Sequence, residues 1–173
     1  MHSIKVIKKM NLSKKEPIYL PRKSLRAVIP TIISQTLFNN GKVKLGNISS
    51  KRDFTYIQDT VNAFKLAIKN KKIIGETLNI GNNFEISIKE IVNTVKRLTG
   101  INIKIINDKT RFRPINSEVN RLFCCNKKAK KILNWKINFR SRKGFESGLT
   151  KTIDWIRQNK EDFYKDKIKK YII

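Results

Sequence analysis

The residues of this chain best suited to chemistry are arginines next to strands and turns, where a guanidinium group can bind phosphate. Arg52 and Asp53 stand at the start of a predicted strand that leads into a helix. Arg111 and Arg113 flank Phe112, so both would project to one side of an extended segment. A guanidinium fork matches two phosphate oxygens at once. Both places therefore predict an anion site, with a surface ion pair or a solvated charge cluster as the alternative.

Groups suited to catalysis or metal binding are scarce. The single histidine is the second residue, and the two cysteines, Cys124 and Cys125, are adjacent, a spacing that suits neither a disulfide between them nor a metal site. Tyr19 and Lys23 have the Tyr-x-x-x-Lys spacing of a general-base pair on one helix, but Pro21 between them disfavours that helix. The sequence therefore predicts no catalytic residue and no metal ligand.

Composition sets the class of protein. The 173 residues, 39% of them hydrophobic, are enough for one domain with a core. Thirty-nine Lys and Arg against 13 Asp and Glu give a formal charge of +26, which favours polyanion contact. The basic residues are scattered along the whole chain, so we expect only non-specific contact with nucleic acid. There is no apolar run of membrane-spanning length and no signal peptide, which predicts a cytoplasmic protein without a membrane partner.

The hydrophobic pattern predicts an α/β fold. Helices are expected around the apolar faces of Val28 to Leu37, of Val61, Phe64, Lys65 and Ile68, of Ile88 to Leu98, of Ala129 to Leu133, and of Phe145 to Ile156. Strands are expected at Val43 to Leu45, Phe54 to Ile57, Thr77 to Ile80 and Ile101 to Ile105. Ser87 and Glu90 predict a capping box, Gly100 a helix stop, and Asn126 the N-cap of a short helix.

Five blocks, in order, resemble the NAD-dependent epimerase/dehydratase family, the extended short-chain dehydrogenases. The blocks are Tyr19 to Pro30, Arg52-Asp53-Phe54, Thr77 to Gly81, Arg113-Pro114 with Ser117-Glu118-Val119, and Ala129 to Trp135. They look most like nucleotide-sugar 4,6-dehydratases. The resemblance implies that residues 18–173 are the C-terminal, nucleotide-sugar-binding portion of that fold, without the N-terminal Rossmann core, and that residues 1–17 are a disordered or adventitious leader.

The resemblance also implies a site. In the family, the Arg of the Arg-Asp-Phe block and an Arg before the last Pro-x-x-x-Glu block contact the diphosphate of the nucleotide sugar. These contacts fall to Arg52 and to Arg113 or Arg111, with a UDP-sugar as the favoured ligand. Two positions depart from the family pattern, because Leu20 stands where Gly is usual and Cys125 where an acidic residue is usual.

NAD is the cofactor of the intact family, but the chain has no Gly-x-x-Gly-x-x-Gly turn at a helix start, and its first glycine is Gly41. The resemblance places Tyr19 in the family's later Tyr-Gly-Pro block, outside the catalytic pair. We therefore expect a fragment that is inactive and binds no NAD alone, unless a separate chain supplies the Rossmann half. The alternatives are a small basic nucleic-acid-binding protein, and an interaction module that pairs through its sheet edges.

Overall fold

The computed structural model describes residues 18–19, 27–112 and 119–160. The helices of these residues are α1 (Val28–Phe38), α2 (Ile57–Lys69), α3 (Ile88–Thr99), α4 (Lys127–Leu133) and α5 (Ser141–Gln158). The strands are β1 (Ile18–Tyr19), β2 (Lys42–Leu45), β3 (Lys51–Asp53), β4 (Thr55–Tyr56), β5 (Glu85–Ser87), β6 (Lys104–Asn107) and β7 (Arg121–Leu122). The predicted α/β class is confirmed. The expected boundary between residues 1–17 and 18–173 stays a prediction.

The strands of the described residues pair in three small sheets. β1 runs parallel to β4, with Tyr19 opposite Tyr56. β2 runs parallel to β6, with Leu45 opposite Asn107. The third sheet has the strand order β5-β3-β7. The chain divides into two compact units, one with residues 18–19, 52–85 and 122–145, and the other with residues 27–51, 86–112, 119–121 and 146–160.

Most helix ends follow the local signals of the sequence. Pro30 lies in the first turn of α1, where its missing N–H costs no hydrogen bond. The Ser87 hydroxyl accepts from the Glu90 amide, and the Glu90 carboxylate accepts from the Ser87 amide, so the predicted capping box opens α3. Gly100 ends that helix in the left-handed conformation.

The core of the first unit is packed against the small residues of α2. Ala63 and Ala67 are fully buried there, whereas Val61 and Ile68 are 40% and 44% exposed. Helix α2 is confirmed, but the face we expected it to bury is wrong. Alanines allow a closer approach to the neighbouring chain than Val or Ile would. The two alanines belong to a hydrophobic cluster, against which Phe64 packs while partly buried. The buried members of this cluster are Ala63, Ala67, Ile73, Leu78, Ile80, Ala129, Leu133 and Trp135.

In the second unit, α1 packs against α3 and β2. Ile32 and Ile33 of α1 and Val95 of α3 are completely buried, as is Val43 of β2. The Gln35 side chain accepts a hydrogen bond from the Lys44 amide at 2.8 Å, which joins α1 to β2. These contacts fix β2 and, through it, the paired strand β6.

Three expected extended segments differ from the structure. Thr77 to Ile80 is not a strand among the described residues, although Leu78 and Ile80 are buried and Thr77 is exposed as in a strand. The alternation of buried and exposed residues in this segment therefore reflects how its side chains pack, and does not indicate backbone pairing with a neighbouring strand. The strand expected from Ile101 begins at Lys104, and Ile57 begins α2 instead of ending a strand. Among the described residues, no helix combines the length and apolarity that a membrane span requires.

Candidate functional site

Arg52 and Asp53 are neighbours in β3, but Arg52 is half-buried and Asp53 is fully buried. The Asp53 carboxylate accepts hydrogen bonds from the backbone amides of Asn82 at 2.9 Å, Asn83 at 2.7 Å and Cys124 at 3.4 Å. Asp53 therefore ties β3 to the turn after Ile80 and to the chain after β7. Asp53 is directed to backbone amides in the interior, so it is not a residue of the protein surface.

The same burial changes the protonation of Asp53. Desolvation raises the pKa of this carboxyl to about 6, although the backbone amides of Asn82, Cys124 and Asn83 favour the charged form. The turn packs closely on its partner: a Cβ added at Gly81 would lie 2.2 Å from the Cys124 Cβ. Only glycine leaves Cys124 room at this point, so the Thr77 to Gly81 block has a packing role.

Asn126 does not cap α4 through its side chain. Its amide nitrogen donates to the Gly81 carbonyl at 2.6 Å instead. The predicted helix is confirmed and the predicted cap is wrong. Asn126 is buried, and its hydrogen bond joins the start of α4 to the turn that Asp53 also holds.

A second buried carboxylate, Asp59, holds the first turn of α2. It accepts from the backbone amides of Asn138 and Phe139, both at 2.9 Å, while the Trp135 indole donates to the Asp59 carbonyl at 3.1 Å. Burial raises the pKa of Asp59. Trp135 is buried, and it lies outside a helix.

Arg111 lies in the second unit, in a 3₁₀ turn formed by Lys109–Arg111. Its Nε donates to Asp108 Oδ2 at 2.9 Å. The other carboxylate oxygen, Oδ1, accepts from the Thr110 amide at 3.0 Å and from the Thr110 hydroxyl at 2.7 Å. The expectation that Arg111 belongs to an extended segment is wrong, because the Asp108 cap closes a turn there.

The three predicted anion-binding arginines are therefore placed differently. Arg52 is in the first unit at β3, Arg111 is in the second unit after β6, and Arg113 lies outside the described residues. Their convergence on one diphosphate stays a prediction. Sequence reasoning missed Asp108, although Asp two residues before Thr is the signal of a side-chain-capped turn.

Tyr19 is a buried residue of β1, and its hydroxyl donates to the Phe145 carbonyl at 3.2 Å. Its ring packs with those of Phe54 and Tyr56. Burial, with the nearby Tyr56 and Asp59, raises the pKa of Tyr19 above its usual value. A strand position, a high pKa and a satisfied hydroxyl all argue against general-base work by Tyr19.

The two cysteines differ in their exposure to solvent. Cys124 is buried and Cys125 is exposed, and neither is part of a disulfide. Within residues 18–19, 27–112 and 119–160, no group of three His, Cys, Asp or Glu side chains could hold a metal ion. The chemistry that the described side chains offer is anion binding by guanidinium groups.

Comparison with known proteins places this geometry in context. The sequence matches the family described as GDP-mannose 4,6 dehydratase over residues 4–151. It is 30% identical over 132 residues to a putative UDP-glucose 4-epimerase of Methanocaldococcus jannaschii, covering 76% of this chain and 39% of that protein. It is 30% identical over 159 residues to dTDP-D-glucose 4,6-dehydratase of Homo sapiens, covering 86% and 41%.

The fold is similar to a solved UDP-glucuronic acid 4-epimerase from Bacillus cereus in complex with UDP-glucuronic acid and NAD. The TM-score is 0.70 at 26% identity, over 82% of this chain and 43% of that one. The chain thus spans about two fifths of the length of the curated relatives it matches.

Proposed function

This chain belongs to the GDP-mannose 4,6 dehydratase family of NAD-dependent epimerases and dehydratases, and we propose that it binds the diphosphate of a nucleotide sugar. Arg52 is one ligand of the diphosphate, and Arg113 or Arg111 is the other. A UDP-sugar is the favoured ligand, in line with the UDP-glucuronic acid bound by the Bacillus cereus epimerase.

The observation that carries the proposal is the division of roles between Arg52 and Asp53. Three backbone amides hold the Asp53 carboxylate inside the first unit, so β3 has a rigid anchor at the residue next to Arg52. Successive side chains of a strand point to opposite faces, which places the half-buried Arg52 side chain opposite that anchor. A fixed guanidinium binds phosphate with less loss of side-chain entropy than a mobile one.

NAD is the cofactor of the intact family, where it would supply the oxidation of the sugar at its C4 hydroxyl. The seven glycines of the chain form no Gly-x-x-Gly-x-x-Gly turn, and the one Tyr-x-x-x-Lys match begins at the buried Tyr19. The residues of this chain thus do not fit NAD. We propose that these 173 residues by themselves have no epimerase or dehydratase activity.

Calorimetry with UDP-glucuronic acid and with inorganic tripolyphosphate tests the proposal. Arg52→Ala should weaken UDP-sugar binding by about 1.5–3 kcal/mol, the scale of a charge-assisted hydrogen bond. Lys51→Ala is the matched control, because it removes a neighbouring exposed charge and should change affinity little. Arg113→Ala tests the second ligand in the same way.

The competing function is non-specific binding of nucleic acid by the basic surface. Such binding follows total charge and falls steeply with salt. Equal affinity for the UDP-sugar and tripolyphosphate, with the same small loss in Arg52→Ala and Lys51→Ala, would favour it and contradict the diphosphate site.

A further inference from the structure

The turn at Gly81 and Asn82 holds two separate segments of the first unit. The Asn126 side-chain amide, at the start of α4, donates to the Gly81 carbonyl at 2.6 Å. The Asn82 side-chain amide donates to the Phe139 carbonyl at 3.1 Å. Because Gly81 and Asn82 are adjacent, the first turn of α4 and the chain that follows Phe139 leave the same point of the fold.

Each of these two segments carries a basic side chain close to its anchor. Lys130 lies one helical turn after Asn126, to whose carbonyl its amide donates at 3.0 Å, and it is half-buried. Arg140 directly follows Phe139. A Cβ added at Gly144 would lie 2.5 Å from the Phe139 carbonyl carbon, so the start of α5 packs closely on the peptide that leads to Arg140. The backbone of both basic residues is therefore held in place.

The acidic residues of this region are engaged elsewhere. Residues 127–143 contain no Asp or Glu. Asp59 is fully buried and gives both carboxylate oxygens to backbone amides. Glu76 pairs with Lys128 at 2.5 Å. Within the part of the chain that the structure describes, the two basic side chains thus have no ion pair of their own.

The charges of Lys130 and Arg140 are close enough to affect each other. Burial lowers the pKa of Lys130, and the positive charge of Arg140 lowers it further. An anion bound by both side chains would replace this repulsion by attraction. A guanidinium fork matches two oxygens of a phosphate, and a lysine ammonium supplies a compact charge for a third.

We propose that Lys130 and Arg140 form a binding site for the oxyanion of a phosphate group. The inference goes beyond the proposed function, because neither residue is among the arginines assigned to the diphosphate of the nucleotide sugar. Free inorganic phosphate and a phosphate monoester both carry the group that this pair recognises.

The test is a titration of the ¹⁵N-labelled full chain with inorganic phosphate and with methyl phosphate, followed by NMR at constant ionic strength. The signals of Lys130 and Arg140 should shift together with one dissociation constant, while those of Lys131 and Lys136 should shift little. Tighter binding of inorganic phosphate would identify the free ion as the ligand. Equal or tighter binding of methyl phosphate would identify a phosphate carried by a larger molecule.

Two variants separate a site from attraction by total charge. Lys130→Met removes the charge and keeps an apolar stem, and it should weaken phosphate on the order of tenfold, measured on the Arg140 signals. Lys131→Met is the matched control, because it removes the same charge from the next, exposed residue of α4. It should change the affinity by less than about twofold.

Charge reversal gives a second measurement that needs no ligand. In phosphate-free buffer, Lys130→Glu should raise the urea midpoint more than Lys131→Glu does, because only the first substitution turns a repulsion by Arg140 into an attraction. Lys130→Glu should also abolish the response of the Arg140 signals to phosphate. Equal effects of the substitutions at the two positions, or no saturable shift at Lys130 and Arg140, would overturn the inference.

Discussion

Single residues in this protein have roles that follow from which atoms they meet. Arg52 and Asp53 are adjacent, yet Asp53 accepts from the backbone amides of Asn82, Asn83 and Cys124 inside the fold. Asp108 similarly divides its oxygens between a turn and Arg111. In both cases an acidic residue next to or near an arginine determines where the arginine is placed, by holding the backbone or the guanidinium.

Asp53 should make stability depend on pH. Its pKa is about 6 in the fold and about 4 in an unfolded chain, so the folded state binds the proton more tightly. The contribution of Asp53 to the free energy of unfolding is therefore full below pH 4 and is lost as the pH rises to 6, by about 3 kcal/mol.

Urea unfolding of the unmodified chain and of Asp53→Ala, measured from pH 4 to 7, checks this. Subtracting the free energy of unfolding of Asp53→Ala from that of the unmodified chain removes the contribution of the other titrating groups. This difference should fall as the pH rises from 4 to 6. Asp154→Ala, an exposed site on α5, should leave the shape of the curve unchanged. A difference that grows with pH would mean that the amide hydrogen bonds outweigh desolvation.

At the scale of elements, helices form where local signals are consistent, but their orientation depends on packing. Helix α2 has an apolar stripe that includes Val61 and Ile68, and the structure exposes it. Its alanine face is buried in a cluster that includes Ile73, Leu78 and Trp135. A small-residue face permits close approach, and Asp59 adds hydrogen bonds to Asn138 and Phe139 on the same unit.

Helix α4 gives a prediction that separates two roles of Asn126. Asn and Asp stabilise an N-cap position about equally well. The Asn126 side-chain amide, however, donates to the Gly81 carbonyl, and a carboxylate at that position could not donate. Asn126→Asp should therefore lower the free energy of unfolding by about 1–3 kcal/mol.

Chemical denaturation would measure that loss, with Asn93→Asp on the exposed side of α3 as the control for charge alone. If Asn126→Asp is neutral or stabilising, the side chain works as an N-cap after all.

The whole molecule has a formal charge of +26. It matches about two fifths of the length of the two relatives compared above. Charge of this size favours any polyanion, so affinity for phosphate compounds by itself says little about a site. Selectivity between ligands is the informative quantity. Because the chain offers no glycine-rich turn for a pyrophosphate, it should discriminate against NAD.

Calorimetry with NAD should therefore give no saturable binding, while UDP-glucuronic acid in the same buffer gives a measurable heat. Binding of UDP-glucuronic acid is the control that shows the chain to be folded. Repeating both titrations at several salt concentrations separates specific contacts from charge-driven ones. Saturable NAD binding at micromolar concentration would contradict the proposed absence of a cofactor site.

Much of the fold could be predicted because its signals are local. The Ser87 and Glu90 capping box, the Gly100 stop, and the apolar residues of α5 act within one or two turns of chain. The family could also be identified from ordered blocks such as Arg52-Asp53-Phe54. These features depend on neighbours in sequence, so the order of the residues is sufficient to predict them.

The partners of Asp53, Asn126 and Asp59 were decided by tertiary structure alone. They lie 29 to 80 residues away along the chain, and no local pattern says which backbone amide or carbonyl will meet a buried polar side chain. Tertiary structure also decided which face of α2 is buried, because the helix has two candidate faces and only packing selects one of them. Sequence by itself determined the family and the elements, whereas the interior hydrogen bonds required the assembled chain because each joins segments that folding brings together.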